Sequence, residues 1–162
     1  MINSYVFKSP IGLLKICEEK EKITKLCLPQ AEADSTCSSK YTGHSDLLYE
    51  AYKQINEYFM GRRKEFDLPL NYTGTTFQQQ VWSQLQTIPY GETRSYKDIA
   101  VGMGNPKAVR AVGQANHKNP IMIIIPCHRV IHRNGNIAGF AYDVEVKKYL
   151  LDFEKSNFPD TC

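Results

Sequence analysis

The 162-residue chain lacks the features of several specialised protein classes. Its longest apolar run, Ile121–Ile125, is only long enough for a strand and far too short to span a membrane. The N-terminus lacks the basic start and long apolar body of a signal peptide, and repeats and low-complexity segments are also missing. We therefore expect a globular protein with no membrane partner, located in the cytoplasm, or in the nucleus of a eukaryote.

Cysteine is scarce and irregularly spaced, which excludes a disulfide framework. The five cysteines are Cys17, Cys27, Cys37, Cys127 and Cys162. The first three could bind zinc together with His44, but the nine-residue gaps between them are unlike zinc-site spacing, and no Cys-x-x-Cys pair exists. We expect free thiols, no metal site and no cofactor.

Charge and composition are ordinary. Twenty basic and 17 acidic residues give a net charge of +3, which permits a polyanionic partner without demanding one. The apolar fraction of 42% is that of a globular chain, and the length suits one medium domain or two small ones.

The first half of the chain predicts a small α/β domain. Segments 2–8, 13–18 and 23–28 predict an antiparallel meander, and 30–44 is polar and aperiodic, which predicts a loop. A helix follows, capped by Ser45 and ended by Gly61. Its apolar face is formed by Leu47, Leu48, Ala51, Ile55 and Phe59. A turn near Gly74 marks the expected boundary between domains 1–73 and 74–162.

The second half predicts three helices, of which the last two form a helix-turn-helix. Thr75 with Gln78 and Ser95 with Asp98 each fit a capping box. The first of these helices carries an apolar stripe of Phe77, Val81, Trp82 and Leu85. The second runs through Val101.

The third predicted helix is capped by Asn105, begins at Pro106 and extends to Ala115. Its side chains are small apart from Arg110, the only long charged residue at its middle. Small side chains allow close approach to a partner, but they equally suit a packed core with Arg110 in solvent. This helix alone does not decide between the two.

Cys127 follows Pro126 at the end of Ile121–Ile125, which composition predicts to be a buried strand. A free thiol has a pKa of about 8.5, so it needs a base or a positive field to react at neutral pH. His128 is adjacent, but neighbouring side chains of an extended chain diverge, so contact requires a bend or a bridging water. Without further context, the pair favours a buried core cysteine beside a hydrogen-bonded histidine.

The wider pattern changes that interpretation. Residues 125–130, Ile-Pro-Cys-His-Arg-Val, resemble the active-site signature of the O6-alkylguanine-DNA alkyltransferases. The resemblance covers most of residues 75–154, whereas the first 70 residues fit only in outline. The other matching segments are Gly91-Glu92, Ser95-Tyr96, Gly104–Ala108, Arg110–Gly113, Asn119-Pro120, Gly139–Ala141, Lys147–Leu151 and Glu154.

This resemblance implies a fold and an activity. The fold is an α/β N-terminal domain, ribonuclease H-like with a small antiparallel sheet and a helix, followed by a mainly α, winged-helix-like DNA-binding domain with a helix-turn-helix. The activity is irreversible transfer of a methyl or other alkyl group from O6-alkylguanine in double-stranded DNA to the protein's own cysteine. It proceeds by base flipping and in-line displacement, once per molecule, in a monomer. Acceptance of O4-alkylthymine is left open.

The resemblance also implies roles for residues that carry the chemistry. Cys127 would attack the alkyl carbon, and His128 would remove the thiol proton through a water. Glu154 would orient His128, Tyr96 would donate a proton to the departing base, and Asn119 would brace the segment that carries the cysteine.

Other residues would bind the DNA and the flipped base. Arg110 would fill the space left in the base stack, and Ala108, Ala111 and Gly113 would let the helix approach the minor groove closely. The base itself would be contacted by the carbonyls of Cys127 and Val130, by the amide of Ala141 and by Phe140 and Tyr142, while Lys147 would polarise Tyr96.

Departures from the family pattern lie beside the expected pocket. Tyr142 and Asp143 stand where glycines are common, Phe140 where tyrosine is frequent, and Met122 where proline is common. Because Tyr142 adds bulk, we expect poor acceptance of large groups such as benzyl. A competition assay in which benzylguanine is as potent as against glycine-bearing members would contradict this.

Two alternatives involve no alkyl transfer: a lesion binder with the same fold, and a transcription factor that uses the helix-turn-helix. A lesion-binding relative would lack the cysteine, so Cys127 argues against it. A transcription factor would read bases through the major groove, but Arg110 alone offers little of the donor and acceptor code required.

Overall fold

The structure, a computed structural model, describes residues 2–29, 45–137 and 144–157. The chain divides into two compact units, Met1–Tyr72 and Thr73–Cys162. The segment expected to be a loop, 30–44, lies outside the described residues. No helix in the described ranges is long and apolar enough to cross a membrane.

The first unit contains the predicted antiparallel meander. Its strands, adjacent in chain order, are β1 (Asn3–Ser9), β2 (Gly12–Glu19) and β3 (Lys22–Cys27). Two-residue turns join them, with Ser9 paired to Gly12 and Glu19 paired to Lys22. Tight turns of this kind fix the register next to each turn, and an irregularity between Cys17 and Glu18 then shifts the pairing of β2 with β3.

Helix α1 (Asp46–Phe59) packs against this sheet. The Ser45 side chain caps it as predicted, and the chain leaves it through Gly61, whose φ of +74° suits glycine. The buried face differs from the prediction at its end: Tyr58 is buried, whereas Phe59 is only half-buried.

The second unit is mainly helical, and the predicted helix-turn-helix is present. Its elements are α2 (Thr76–Leu85), β4 (Arg94–Ser95), α3 (Tyr96–Gly102), α4 (Val109–His117), β5 (Val130–Ile131) and α5 (Val144–Asn157). Both predicted capping boxes, at Thr75 and Ser95, are formed. The parallel pairing of β4 with β5 was not predicted, because two-residue strands are too short to show alternation.

The predicted start of the third helix was wrong. Helix α4 begins at Val109, and Asn105 and Pro106 lie in the turn before it. The N–H of Asn105 completes the end of α3, and its carbonyl accepts from Ala108 at 3.0 Å, closing a turn rather than a helix. The Pro106 carbonyl accepts from Lys97 Nζ at 2.9 Å. These bonds occupy the backbone groups that would have begun the helix three residues earlier.

The predicted strand at Ile121–Ile125 was also wrong. The segment is buried, but it folds into a tight turn in which Ile125 N–H donates to the Ile121 carbonyl at 3.0 Å and Ile123 has a φ of +70°. The Asn119 side chain bridges the turn, donating to the Ile125 carbonyl at 2.7 Å and accepting from Ile121 N–H at 3.0 Å. The Asn119 amide therefore bonds the Ile121 N–H and the Ile125 carbonyl, which in a strand would bond to a neighbouring strand.

Two contacts fix the part of this unit that carries Cys127. The indole N–H of Trp82 donates to the Ala115 carbonyl at 2.9 Å, which joins α2 to α4. Helix α5 packs against the 3₁₀ turn Cys127–Arg129. Residues distant in sequence therefore meet around the cysteine.

Candidate active site

Cys127 begins the 3₁₀ turn and is only 1% exposed. Burial raises the pKa of its thiol to about 11, against the opposing influence of the Asn119 amide and the Lys147 cation. At neutral pH the thiol is therefore protonated, and it needs a base at the moment of reaction.

His128 and Glu154 form a buried pair beside this cysteine, with 2.6 Å between Nε2 and Oε2. Burial lowers the pKa of His128, so its ring is neutral at neutral pH. An ionised Glu154 can only accept a hydrogen bond, which places the imidazole proton on Nε2 and leaves Nδ1 unprotonated. Nδ1 is buried and has no hydrogen-bond partner among the residues that the structure describes. Nδ1 is therefore the nitrogen of the ring that can accept a proton.

Arg129 is a member of this cluster that the sequence analysis missed. Its guanidinium donates to both oxygens of Glu154, at 2.7 and 3.1 Å, and to the Ile88 carbonyl at 2.8 Å. Burial alone would raise the pKa of Glu154, but His128 and Arg129 outweigh it and lower the pKa below its ordinary 4.5. A basic residue that directly follows a buried segment is itself expected to be buried and to need a carboxylate partner. The position of Arg129 could therefore have predicted an Arg129–carboxylate pair.

Tyr96 and Lys147 also lie near the cysteine. Burial raises the pKa of Tyr96, with a further contribution from Cys127, so the phenol keeps its proton at neutral pH. Lys147 is fully buried, donates to the Val130 carbonyl at 2.6 Å and stands 5.9 Å from the centre of the Tyr96 ring. Burial lowers the pKa of Lys147 to about 8, so it is still largely protonated at pH 7.

Two asparagines hold the backbone around the cysteine. Asn119 bridges the preceding turn through its bonds to Ile121 and Ile125. Asn116 was missed: it is fully buried in α4, and its Nδ2 donates to the Cys127 carbonyl at 3.4 Å. Asn116 follows the apolar Val112 by one helical turn, and this spacing could have predicted that Asn116 lies on the buried face of the helix.

A basic cleft of about 740 Å³ has Tyr96 in its wall. It is lined by Tyr96, Lys97, Val109, Arg110, Gly113, Gln114, His117, His132 and Arg133. These residues include three cations and two histidines and no acid, which suits a polyanion. Tyr96 belongs to both the cleft and the cysteine cluster, whereas Cys127 is not part of the cleft wall.

The remaining predicted residues lie on α4 or outside the described ranges. Arg110 and Ala111 are exposed, and Ala108 and Gly113 are half-buried. A Cβ at Gly113 would stand 3.9 Å from the Tyr96 ring, an ordinary van der Waals contact, so this face of α4 is turned toward Tyr96 and has room for an alanine. Of the substrate-contacting predictions, Phe140, Ala141 and Tyr142 lie outside the described residues.

The residues considered and set aside as zinc ligands are only partly described. Cys17 and Cys27 are buried thiols on neighbouring strands, while Cys37 and His44 lie outside the described residues. Within the described ranges, no three metal-ligating side chains group together.

The His128–Glu154 pair predicts that acid destabilises the fold. His128 has a lower pKa when folded than its ordinary 6.5, so the unfolded chain binds more protons below that pH and the free energy of unfolding falls. Glu154, whose folded pKa lies below 4.5, adds a second loss as pH falls below that value. Urea unfolding at about pH 7.5, 6 and 4 should show a stepwise decrease. His128→Asn should lack the first step, and stability that rises toward pH 4 would contradict this account.

The fold and the cluster together define a class: a DNA-binding protein with a buried cysteine beside a histidine–carboxylate pair. Two family models match the chain. Residues 2–72 match the 6-O-methylguanine DNA methyltransferase, ribonuclease-like domain, and residues 76–156 match the DNA binding domain of the same proteins. This chain belongs to the 6-O-methylguanine DNA methyltransferase family, as the sequence resemblance predicted.

Individual relatives agree with this assignment. The constitutive methylated-DNA--protein-cysteine methyltransferase of Bacillus subtilis is 48% identical over 157 residues, covering 94% of this chain and 95% of the relative. The crystal structure of Mycobacterium tuberculosis O6-methylguanine methyltransferase has a TM-score of 0.91 at 42% identity, covering 99% and 96% of the two chains. The structure of M. tuberculosis OGT in complex with DNA has a TM-score of 0.86 at 43% identity, covering 98% and 96%.

Proposed function

We propose that this protein repairs DNA by transferring a methyl or other alkyl group from O6-alkylguanine in double-stranded DNA to its own Cys127. The observation that carries the proposal is the single buried cluster of Cys127, the His128–Glu154 pair and Tyr96, placed beside a basic cleft of a helix-turn-helix domain. The relatives' names, which specify methylated DNA and a protein cysteine, support the same reaction.

The chemical step is an in-line displacement. The thiol proton passes through a water to Nδ1 of His128 as Sγ attacks the alkyl carbon. The bond between that carbon and O6 breaks, and its electron pair stays with guanine, which takes a proton on its ring from Tyr96. Lys147 stabilises the negative charge that develops on Cys127 and Tyr96. The products are an S-alkylcysteine and an unmodified guanine, so the cysteine is consumed and each molecule acts once.

Access to the alkyl group requires the base to leave the duplex, which costs a few kcal/mol and least for a damaged pair. Arg110 is exposed at the cleft and makes no ion pair with any described residue, so its guanidinium is available to occupy the vacated stack. The small residues Ala108 and Ala111 allow α4 to lie close to the minor groove. Since such contacts are mainly to the backbone, binding should be weakly sequence-specific.

Two other functions are less well supported. A lesion binder without chemistry does not require a buried cysteine next in the chain to the His128–Glu154 pair. A transcription factor requires several base-reading side chains on α4, and Arg110 is the only exposed charged residue within its first turn. All the groups named for the reaction come from one chain, so we propose a monomer.

Counting methyl groups tests this function. The protein is mixed with excess duplex carrying one O6-methylguanine. The number of repaired duplexes is then divided by the number of active protein molecules. We expect repair to stop at one duplex per protein molecule. Repair that continues through many turnovers, or an absence of repair with binding retained, would overturn the proposal.

A further inference from the structure

His132 lines the cleft, and the proposed reaction gives it no task. Its ring contacts that of Tyr96, with 4.9 Å between the ring centroids and 51° between the ring planes. Aromatic rings at such a separation attract each other beyond the effect of burying their surface. His132 is exposed, whereas Tyr96 is only 6% exposed although it also lines the cleft. The imidazole therefore covers part of the Tyr96 ring at the cleft.

The backbone holds the two rings together. Strands β4 and β5 pair in parallel, with Ser95 opposite Ile131. Tyr96 and His132 are the residues that follow directly, and paired strands lie only about 4.8 Å apart, so the pairing brings these two side chains next to each other. The N–H of His132 also donates to the Asn136 carbonyl at 2.8 Å, which closes a tight loop after β5. An exposed side chain is thus attached to a fixed position of the backbone.

The other neighbours of Tyr96 act on different parts of its side chain. The Asn116 side chain hydrogen-bonds the phenol group, which fixes the oxygen but not the plane of the ring. Gly113 of α4 faces the ring, yet a Cβ there would stand 3.9 Å away, so this side has room for an alanine and does not clamp the ring. The contact with His132 supplies the restraint on the ring plane.

We infer that His132 is a positioning residue for the proton transfer, because its ring fixes the plane of the Tyr96 phenol and so the direction in which the phenol delivers its proton. This inference rests on the proposed function, in which Tyr96 is the proton donor. The Tyr96 O–H bond breaks, an N–H bond forms on the departing guanine, and a phenolate is left near Lys147. Such a transfer requires donor and acceptor within about 2.6–3.2 Å, so a misdirected phenol slows it. His132 acts through Tyr96 and takes no proton itself.

The test separates the chemical step from DNA binding. Single-turnover methyl transfer from a duplex with one O6-methylguanine is followed over a range of concentrations, which gives the saturated rate and the half-saturating concentration. His132→Asn removes the ring and should lower the saturated rate by about two- to tenfold, the value of one aromatic contact. His132→Phe keeps a ring and should restore most of that rate. Any change in the half-saturating concentration should be similar in both variants, since both lack the imidazole.

A double-mutant cycle with Tyr96→Phe shows whether the effect passes through the phenol. Tyr96→Phe alone removes the proton donor and should slow the reaction. Adding His132→Asn should cost nothing further, because no phenol remains to be aligned.

Tyr149→Asn is the matched control. It removes another exposed ring of the second unit, one that stacks on Phe153 with 6.0 Å between centroids, and it should keep the wild-type rate. A wild-type rate in His132→Asn, an equal loss in His132→Phe, or a full further loss in the double variant would each overturn the inference and leave the proposed function standing. A wild-type protein that transfers no methyl group would instead refute the proposed function itself.

Discussion

Replacing His128 by asparagine should lower the rate of methyl transfer at pH 7 by about 10²- to 10⁴-fold, the range typical of a lost general base. The reason is the thiol's environment. Burial raises the pKa of Cys127 to about 11, so almost none of it is ionised at neutral pH without a base. In His128→Asn the rate should increase steadily with pH, because the thiol must then ionise unaided. Rapid-quench kinetics at saturating DNA would measure both effects.

His117→Asn is the matched control for this experiment. His117 is the last residue of α4 and is exposed at the cleft, away from the His128–Glu154 pair. Its loss should change DNA affinity at most and leave the saturated rate within a few-fold of wild type. If His128→Asn reacted as fast as His117→Asn at pH 7, His128 would not be the base.

Replacing Arg129 by methionine should reduce the free energy of unfolding by about 3–5 kcal/mol, the usual cost of leaving one partner of a buried ion pair uncompensated. Arg129 makes two short hydrogen bonds to Glu154, and both side chains are almost completely buried. Without the guanidinium, Glu154 loses both of these bonds and the positive charge that balances its own, while the bonds to the neutral His128 at 2.6 Å and to the N–H of Gly91 at 3.4 Å are retained. Its carboxylate must then take up a proton or draw in water.

Arg63→Met provides the comparison for Arg129. Arg63 also contacts a glutamate, Glu57, at 3.3 Å, but both side chains are more than a quarter exposed. The loss there should be within about 1 kcal/mol. If Arg129→Met fails to fold, Arg129→Met combined with Glu154→Gln should recover part of the stability, because the unpaired charge is removed. Equal costs at Arg129 and Arg63 in urea titrations would contradict the account.

Local rules explain why much of the fold could be predicted from the sequence. The capping boxes at Thr75 and Ser95 and the glycine that ends α1 depend on residues three or four positions apart, so short patterns are enough. The meander follows for the same reason, since its turns are two residues long.

The errors occurred where competing hydrogen bonds decide the course of the backbone. Composition identifies Ile121–Ile125 as buried, but the bridging amide of Asn119 makes it a turn. Likewise, Asn105 carries the residue type of a helix cap, yet its backbone is used to end α3. Periodicity and propensity contain no record of such competition for backbone groups.

The candidate site was predictable mainly through its resemblance to a family. The residues alone favoured a buried core cysteine, and burial is indeed what the structure has. Glu154 lies 26 positions from His128, so local spacing could not select it from the other carboxylates. Arg129 and Asn116 carried weaker signals, because their importance arises from burial, which only the folded chain determines.

The measurement that tests the central claim most directly is peptide mass spectrometry after reaction with duplex DNA containing O6-methylguanine. We expect the peptide that contains Cys127 to gain the mass of one CH₂ group, to a limit of one per protein molecule. The other four cysteines should stay unmodified, and Cys127→Ala should show no gain anywhere. A methyl group found on another residue, or transfer that persists in Cys127→Ala, would contradict the assignment of Cys127 as the acceptor.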